Sequence, residues 1–202
     1  MAVLTAVDPG DVYNGVAFFN PADNVLGWEC VGAVELGPEE FVDALAESVF
    51  ANEVPILVFE RFRLYEDKAL EQTGSEMLTS QTIGMIKMIV RLHNQHCARH
   101  AEAEKTGLIL PCEIQGQSCA DATIHWQPTL LIGQRTDIKK PAAGILRGKK
   151  IKSVAKPIAR AEYKGRDHVA DAELHGWYHI LEGSVTGKDS EVYYANLAPR
   201  EE

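Results

Sequence analysis

The sequence predicts an α/β domain built on a mixed five-stranded sheet, three antiparallel strands followed by parallel ones, with helices on both faces. Three observations predict it. Short β-rich runs joined by tight turns open the chain at residues 3–7, 12–19 and 25–33. An almost wholly apolar run follows the first helix at residues 54–60, as expected of a strand covered on both sides. Helical and strand patterns then alternate, giving the order β β β α β α β α.

The first run stops at Asp8-Pro9-Gly10, where Pro-Gly forces a turn. The second contains Gly15, read as allowing a bend, and residues 20–24 form a hairpin-type loop before the third. Pro38, Glu39 and Glu40 open a helix, with Phe41, Leu45 and Val49 on one face. Residues 61–78 are polar and irregular. A long helix spans about residues 79–103, with Ile83, Ile86, Ile89, Val90 and His93 inward. Residues 108–114 are expected to supply the fifth strand, and residues 118–125 a short helix. Residues 135–166 show little periodicity and are read as a long loop or marginal hairpin. Residues 167–181 form a last amphipathic helix, using Ala170, Leu174, Trp177, Tyr178 and Leu181. The expected organisation is one domain over residues 1–181, carrying the 135–166 insertion, and a peripheral tail over 182–202.

Apolar residues at 46% and charged residues at 24% suit a globular protein. No apolar run approaches the ~20 residues of a membrane span, and residues 1–5 lack a signal-peptide shape, so a cytoplasmic location is expected. Cys30, Cys97, Cys112 and Cys119 form no CxxC pair and are expected as reduced, mostly buried thiols. The net charge of −9 hides an asymmetry. Residues 135–166 hold eleven cations against Asp137 and Glu162, so this segment carries +9 and the rest of the chain −18. A basic block of this kind, with Lys149, Lys150 and Lys152 at its centre, is what phosphate-backbone contact needs.

Three acids fall at the mouths of core elements. Asp8 ends the first strand, Glu60 ends the fourth, and Asp171 lies in the first turns of the last helix, after Asp167 and His168. The first and fourth strands are expected to be neighbours, which brings Asp8 and Glu60 within reach of one cation. Phosphodiester hydrolysis needs an activated water and a stabilised leaving group. Two divalent ions supply both, and oxygen ligands suit Mg²⁺ or Mn²⁺. Singly, each acid has an ordinary structural reading: a turn former, a solvated strand end, or a helix cap for Asp167.

The opening Val7-Asp8-Pro9-Gly10, followed by a strand containing Gly15, resembles that of RuvC-type Holliday junction resolvases of the RNase H-like superfamily. Val58-Phe59-Glu60 resembles their second acidic position. His168-Val169-Ala170-Asp171 resembles their C-terminal motif, a metal-binding residue three before an Asp. Glu60-Arg61-Phe62-Arg63-Leu64-Tyr65 with Lys68 looks like the compact resolvases of tailed phages. The resemblance covers residues 1–181 and implies an RNase H-like fold. It also implies Asp8, Glu60 and Asp171 as metal ligands, with His168 as the fourth metal-site group or water activator and Asp167 as its competitor. It further implies a homodimer that nicks four-way DNA in pairs, one subunit per scissile strand, in the host cytoplasm if phage-encoded.

Arg61, Phe62, Arg63 and Tyr65 are candidate DNA contacts, with an aromatic available to wedge against unstacked bases. Lys87 and Arg91 are weaker candidates for phosphate. His93, Cys97 and His100 share a helical face and could be read as zinc ligands, but His93 packed and His100 exposed is the simpler account. The Gly-x4-Gly-Lys-[Ser/Thr] pattern is absent around residues 144–150, so no nucleotide cofactor is expected. Other readings of the same acids are a ribonuclease H or general DNA-processing nuclease, an actin-like ATP-binding domain, and a non-catalytic nucleic-acid-binding module.

Overall fold

A computed structural model of the chain describes residues 3–61, 78–106, 113–114, 117–118, 127–164, 166–182 and 190–193. Strands β1 (Leu4–Asp8), β2 (Asn14–Pro21) and β3 (Trp28–Leu36) form an antiparallel meander, with Asp8 opposite Gly15. Helix α1 (Pro38–Phe50) returns the chain so that β4 (Ile56–Glu60) pairs parallel to β1, Val7 beside Phe59. Helix α2 (Leu78–Thr106) follows. Strands β5 (Glu113–Ile114) and β6 (Gln117–Ser118) make a separate two-stranded ladder. Strand β7 (Leu130–Gln134) pairs parallel to β4, Glu60 beside Gln134. A 3₁₀ turn (Thr136–Ile138) leads into α3 (Lys139–Gly148) and α4 (Ala155–Glu162), then α5 (His168–Glu182). Strand β8 (Ser190–Tyr193) closes the sheet antiparallel to β7, in the order β3-β2-β1-β4-β7-β8.

Strand alternation decides which face each residue serves. Val7, Leu57, Phe59 and Leu131 point to one face, where they meet Phe41, Leu45 and Val49 of α1 and Ile83, Ile86, Ile89 and Val90 of α2. Leu4, Ala6, Val58 and Ile132 point to the other face, where they meet Leu146 of α3 and Ala172 and Trp177 of α5. Asp8, Glu60 and Gln134 continue the second parity, so all three leave their strands on the α5 side.

Several expectations change. The fifth strand of the main sheet is Leu130–Gln134, because Leu131 and Ile132, with the half-buried Leu130, supply the run covered between the helices. Most of the expected strand at 108–114 and most of the expected helix at 118–125 lie outside the described residues, and Gln117–Ser118 is a strand. Residues beyond Glu182, expected as a peripheral tail, contribute the edge strand β8. The basic stretch is helical instead of a loop or hairpin. Its apolar stripes are short: Ala142 and Leu146 on α3, Ala155 and Ala159 on α4. Small alanines suffice because α4 packs closely on Val169 of α5. Both helices end in left-handed lysines, Lys150 (φ 56°) and Lys164 (φ 53°), where glycine is usual.

His100 is buried, not exposed. Cys30 and Cys97 are buried free thiols, pushed up by burial to about 12 and about 11. No described helix is long and apolar enough to cross a membrane.

Candidate active site

The C-terminal ends of β1, β4 and β7 open on one edge of the sheet, and the N-terminal half of α5 lies across them. Close approach makes this packing work. A Cβ at Gly15 would lie 2.1 Å from the His168 carbonyl oxygen, and one at Gly10 would lie 2.9 Å from the His168 ring. Gly15 therefore serves contact with α5 rather than the bend expected of it. Deeper in, a Cβ at Gly176 would meet the Phe19 ring at 2.1 Å. Arg166, just ahead of α5, is tied to the buried Glu35 of β3 and stacks 3.9 Å over the Tyr13 ring.

Asp8, Glu60 and Asp171 converge on a single cation, the Lys139 ammonium. Lys139 Nζ lies 2.9 Å from Asp8 Oδ1, 2.7 Å from Glu60 Oε2 and 2.7 Å from Asp171 Oδ2. His168 Nδ1 meets Asp8 Oδ2 at 2.9 Å. Asp167 is exposed, and its backbone carbonyl accepts the Asp171 N–H. Of the two candidates for the fourth position, His168 is the one that contacts the carboxylates.

His175, fully buried, completes the cluster. Its Nε2 donates to Glu60 Oε2 at 3.0 Å, and its Nδ1 lies 2.8 Å from Gln134 Oε1. Two acceptors cannot both be served by a neutral imidazole, while Gln134 Nε2 is buried without a partner. Turning the Gln134 amide over resolves both: its NH₂ donates to Nδ1, and the ring N–H is committed to Glu60. Asp8, Glu60 and His175 offer ligand atoms within 4.8 Å of one another, a spacing that one metal ion can bridge.

The electrostatics split the acids. Burial pushes the Asp8 carboxyl up, opposed by its His168 hydrogen bond and the Lys139 charge and reinforced by the neighbouring Glu60 carboxyl. Burial would raise Glu60 too. The hydrogen bonds from His175 and Asp8 and the Lys139 charge override it and hold Glu60 well below the ordinary carboxylate range. Burial disfavours the Lys139 ammonium, but the surrounding carboxylates hold its pKa above the usual lysine range. The hydrogen bond to Asp8 raises His168.

The sequence reading placed Asp8, Glu60, His168 and Asp171 in the site, and the structure brings all four together. It missed Lys139, His175 and Gln134. His168, Asp171 and His175 fall at i, i+3 and i+7 on α5, a helical-face signal that was present in the sequence. Lys149, Lys150 and Lys152 are exposed beyond α3. Arg61 follows Glu60, and its N–H donates to the Gln134 carbonyl. Phe62, Arg63, Tyr65 and Lys68 lie outside the described residues. Lys87 Nζ sits 5.9 Å from the Phe59 ring centroid. Cys97 Sγ lies 3.4 Å from His93 Nε2, and His96 and His100 stack at 4.3 Å. Among the described residues, only Asp8, Glu60 and His175 form a three-residue group spaced for a metal.

The Fowlpox virus resolvase, solved with substrate Holliday junction DNA, matches 90% of this chain and 99% of its own at a TM-score of 0.50 and 11% identity. The fold is RNase H-like. RuvC of T. thermophilus with a Holliday junction substrate matches 89% of this chain and 92% of its own, at a TM-score of 0.46 and 13% identity. The Thermus thermophilus RuvC structure matches 87% and 92%, at 0.43 and 12%. At these identities the likeness is one of fold. No protein-family model and no curated protein sequence matches the chain. In this RNase H-like sheet, the acids sit where the central strands end against the last helix.

Proposed function

We propose that this chain is a divalent-metal-dependent endonuclease that cuts four-way or otherwise branched DNA by paired nicking as a homodimer. The observation that carries the reading is the convergence of Asp8, Glu60 and Asp171 on one cation position. The residues fit a hard divalent ion, because carboxylate oxygens dominate the set and a positive charge already holds them together. Asp8 and Glu60 would hold the metal, with Asp171 and His168 as the remaining donors and His175 as the outer partner of Glu60. Mg²⁺ or Mn²⁺, as one or two ions, would supply water activation near neutral pH and charge stabilisation at the scissile phosphate.

The chain's own groups prepare that site. Gln134 orients His175, and His175 orients Glu60, the arrangement by which outer partners fix a ligand. His168 holds the outer oxygen of Asp8. The exposed Lys140, Arg147, Lys149, Lys150, Lys152, Lys156, Arg160 and Lys164 offer phosphate contacts beside the site, and Arg61, Phe62, Arg63 and Tyr65, which follow Glu60 in the sequence, are further candidate DNA contacts. Two such sites related by a two-fold axis suit the symmetry of a four-way junction.

The test is cleavage of a labelled four-way junction beside a linear duplex of matching sequence and an RNA–DNA hybrid, with Mg²⁺, Mn²⁺ or EDTA. Paired nicks near the junction centre, lost in EDTA, are expected. Equal cutting of junction and duplex would keep the nuclease and discard the junction preference. Preference for the hybrid would favour a ribonuclease H activity.

A further inference from the structure

Lys139 occupies the centre of the cluster in a way that has consequences for metal loading. It is the first residue of α3, directly after the 3₁₀ turn. The backbone there is anchored on both sides by buried Ile138 and Ala142. Only the four-carbon stem reaches into the site, so the ammonium can leave by side-chain rotation alone while the helix stays in place. Lys140 on the same turn is exposed, so solvent lies one residue away. The contacts of 2.7 Å to Glu60 Oε2 and Asp171 Oδ2 use the oxygens that a metal would need. A small divalent ion bonds such oxygens at about 2.0–2.3 Å, so ion and ammonium cannot share them.

We propose that Lys139 is a resident counter-cation that a divalent ion must displace, so that Lys139 holds the carboxylates together before metal arrives and sets the affinity of the site for metal. This rests on the metal-dependent reading above. Three carboxylates against one ammonium leave the four groups with two net negative charges. The site therefore attracts a dication while its central place is taken. Removing the ammonium strips that competitor and exposes three like charges to one another. The two effects have opposite signs: the metal-free protein loses stability, and metal binds more tightly. A purely structural ion pair would give the first effect without the second.

The test uses the full chain as wild type, Lys139→Met and Lys139→Arg. Mn²⁺ binding is followed by the electron paramagnetic resonance signal of the free ion, and thermal unfolding is followed in EDTA. Lys139→Met is expected to bind Mn²⁺ about tenfold or more tightly than wild type. It should also melt lower in EDTA and recover on adding Mn²⁺. Lys139→Arg, which keeps the charge, should stay near wild-type affinity. On the wild type, reductive methylation read by mass spectrometry should modify Lys139 slowly in EDTA and faster in saturating Mn²⁺. That arm decides the matter if Lys139→Met does not fold. Equal or weaker Mn²⁺ affinity in folded Lys139→Met, or equal methylation with and without metal, would overturn the inference and leave the metal site standing. Failure of every form to bind Mn²⁺ would overturn both.

Discussion

Replacing Glu173 with alanine should unfasten the basic segment from α5. Glu173 is 1% exposed. Its carboxylate accepts the Val154 N–H at 2.9 Å, the Ala155 N–H at 3.2 Å, the Trp177 indole N–H at 3.4 Å and the Ser153 hydroxyl. The two backbone donors belong to the start of α4, where the N-cap residue Val154 has no polar side chain to cap with and Ser153 Oγ accepts only the later Lys156 N–H, at 2.9 Å. A side chain one helix away thus performs the capping. A buried donor left unpaired costs about 1–3 kcal/mol. Counting the buried Ala155 donor fully, and the part-buried Val154 donor and the long indole contact lightly, gives a loss of about 2–4 kcal/mol. That is a large share of the roughly 5–15 kcal/mol by which a domain is stable. Glu173→Gln keeps one carbonyl oxygen but aims its NH₂ at a donor, so a loss of about 1–2 kcal/mol is expected. Urea unfolding at pH 7, followed by tryptophan fluorescence, measures both. Limited trypsin digestion should also cut faster within residues 147–156 of the alanine variant. A loss below about 1 kcal/mol for alanine, with an unchanged denaturant slope, would refute the capping argument.

Gly15→Ala places a Cβ against the rigid backbone of α5 and should cost about 2 kcal/mol or more, read in the same urea assay. Neutralising Lys149, Lys150 and Lys152 together should weaken junction binding and flatten the slope of log K against log salt by up to about 2.7. Fluorescence anisotropy at several salt concentrations checks this, and an unchanged slope would reduce these lysines to a solvated surface. Asp8→Asn should abolish cleavage while leaving junction binding, measured by gel shift, within a fewfold of wild type. Burial, with the neighbouring His100, His93 and Arg99 charges, lowers His96 to about 4, and burial lowers His93 and His179 in the same direction. The unfolded chain takes these protons first. The stability they contribute is therefore full above about pH 6.5 and drains as pH falls towards 4. His168, raised by Asp8, works in the opposite sense, its contribution fading as pH rises through its folded value. Melting temperatures from pH 7 to 4 should thus fall less steeply in His96→Gln than in wild type.

Much of the site could be read from residues whose position depends only on their own element. Asp8 and Glu60 end strands whose apolar patterns mark them, and Asp171 follows His168 by three on a helix with a clear periodicity. Lys139 could not be found that way. Its place depends on β7, and the sequence reading assigned the fifth strand to residues 108–114, leaving the apolar run at 130–132 unassigned. That assignment left Lys139 in an unplaced basic stretch. The helices of that stretch were hidden because they bury only Ala142 and Leu146, and Ala155 and Ala159, among lysines, glycines and prolines. Their stability comes from packing against α5 and from Glu173, and neither contact is visible in a local pattern. The zinc-like spacing on α2 shows the converse: His93, Cys97 and His100 share a face, yet they are not gathered for one ion.

The most direct measurement is anomalous diffraction at the manganese edge from crystals equilibrated with Mn²⁺. A peak bonded to Asp8 and Glu60 at about 2.0–2.3 Å, with Asp171 or a histidine of α5 in reach and the Lys139 ammonium swung away, is the expected result. Saturating Mn²⁺ that leaves no peak there, with Lys139 still bridging the three carboxylates, would contradict the metal centre on which the nuclease reading depends.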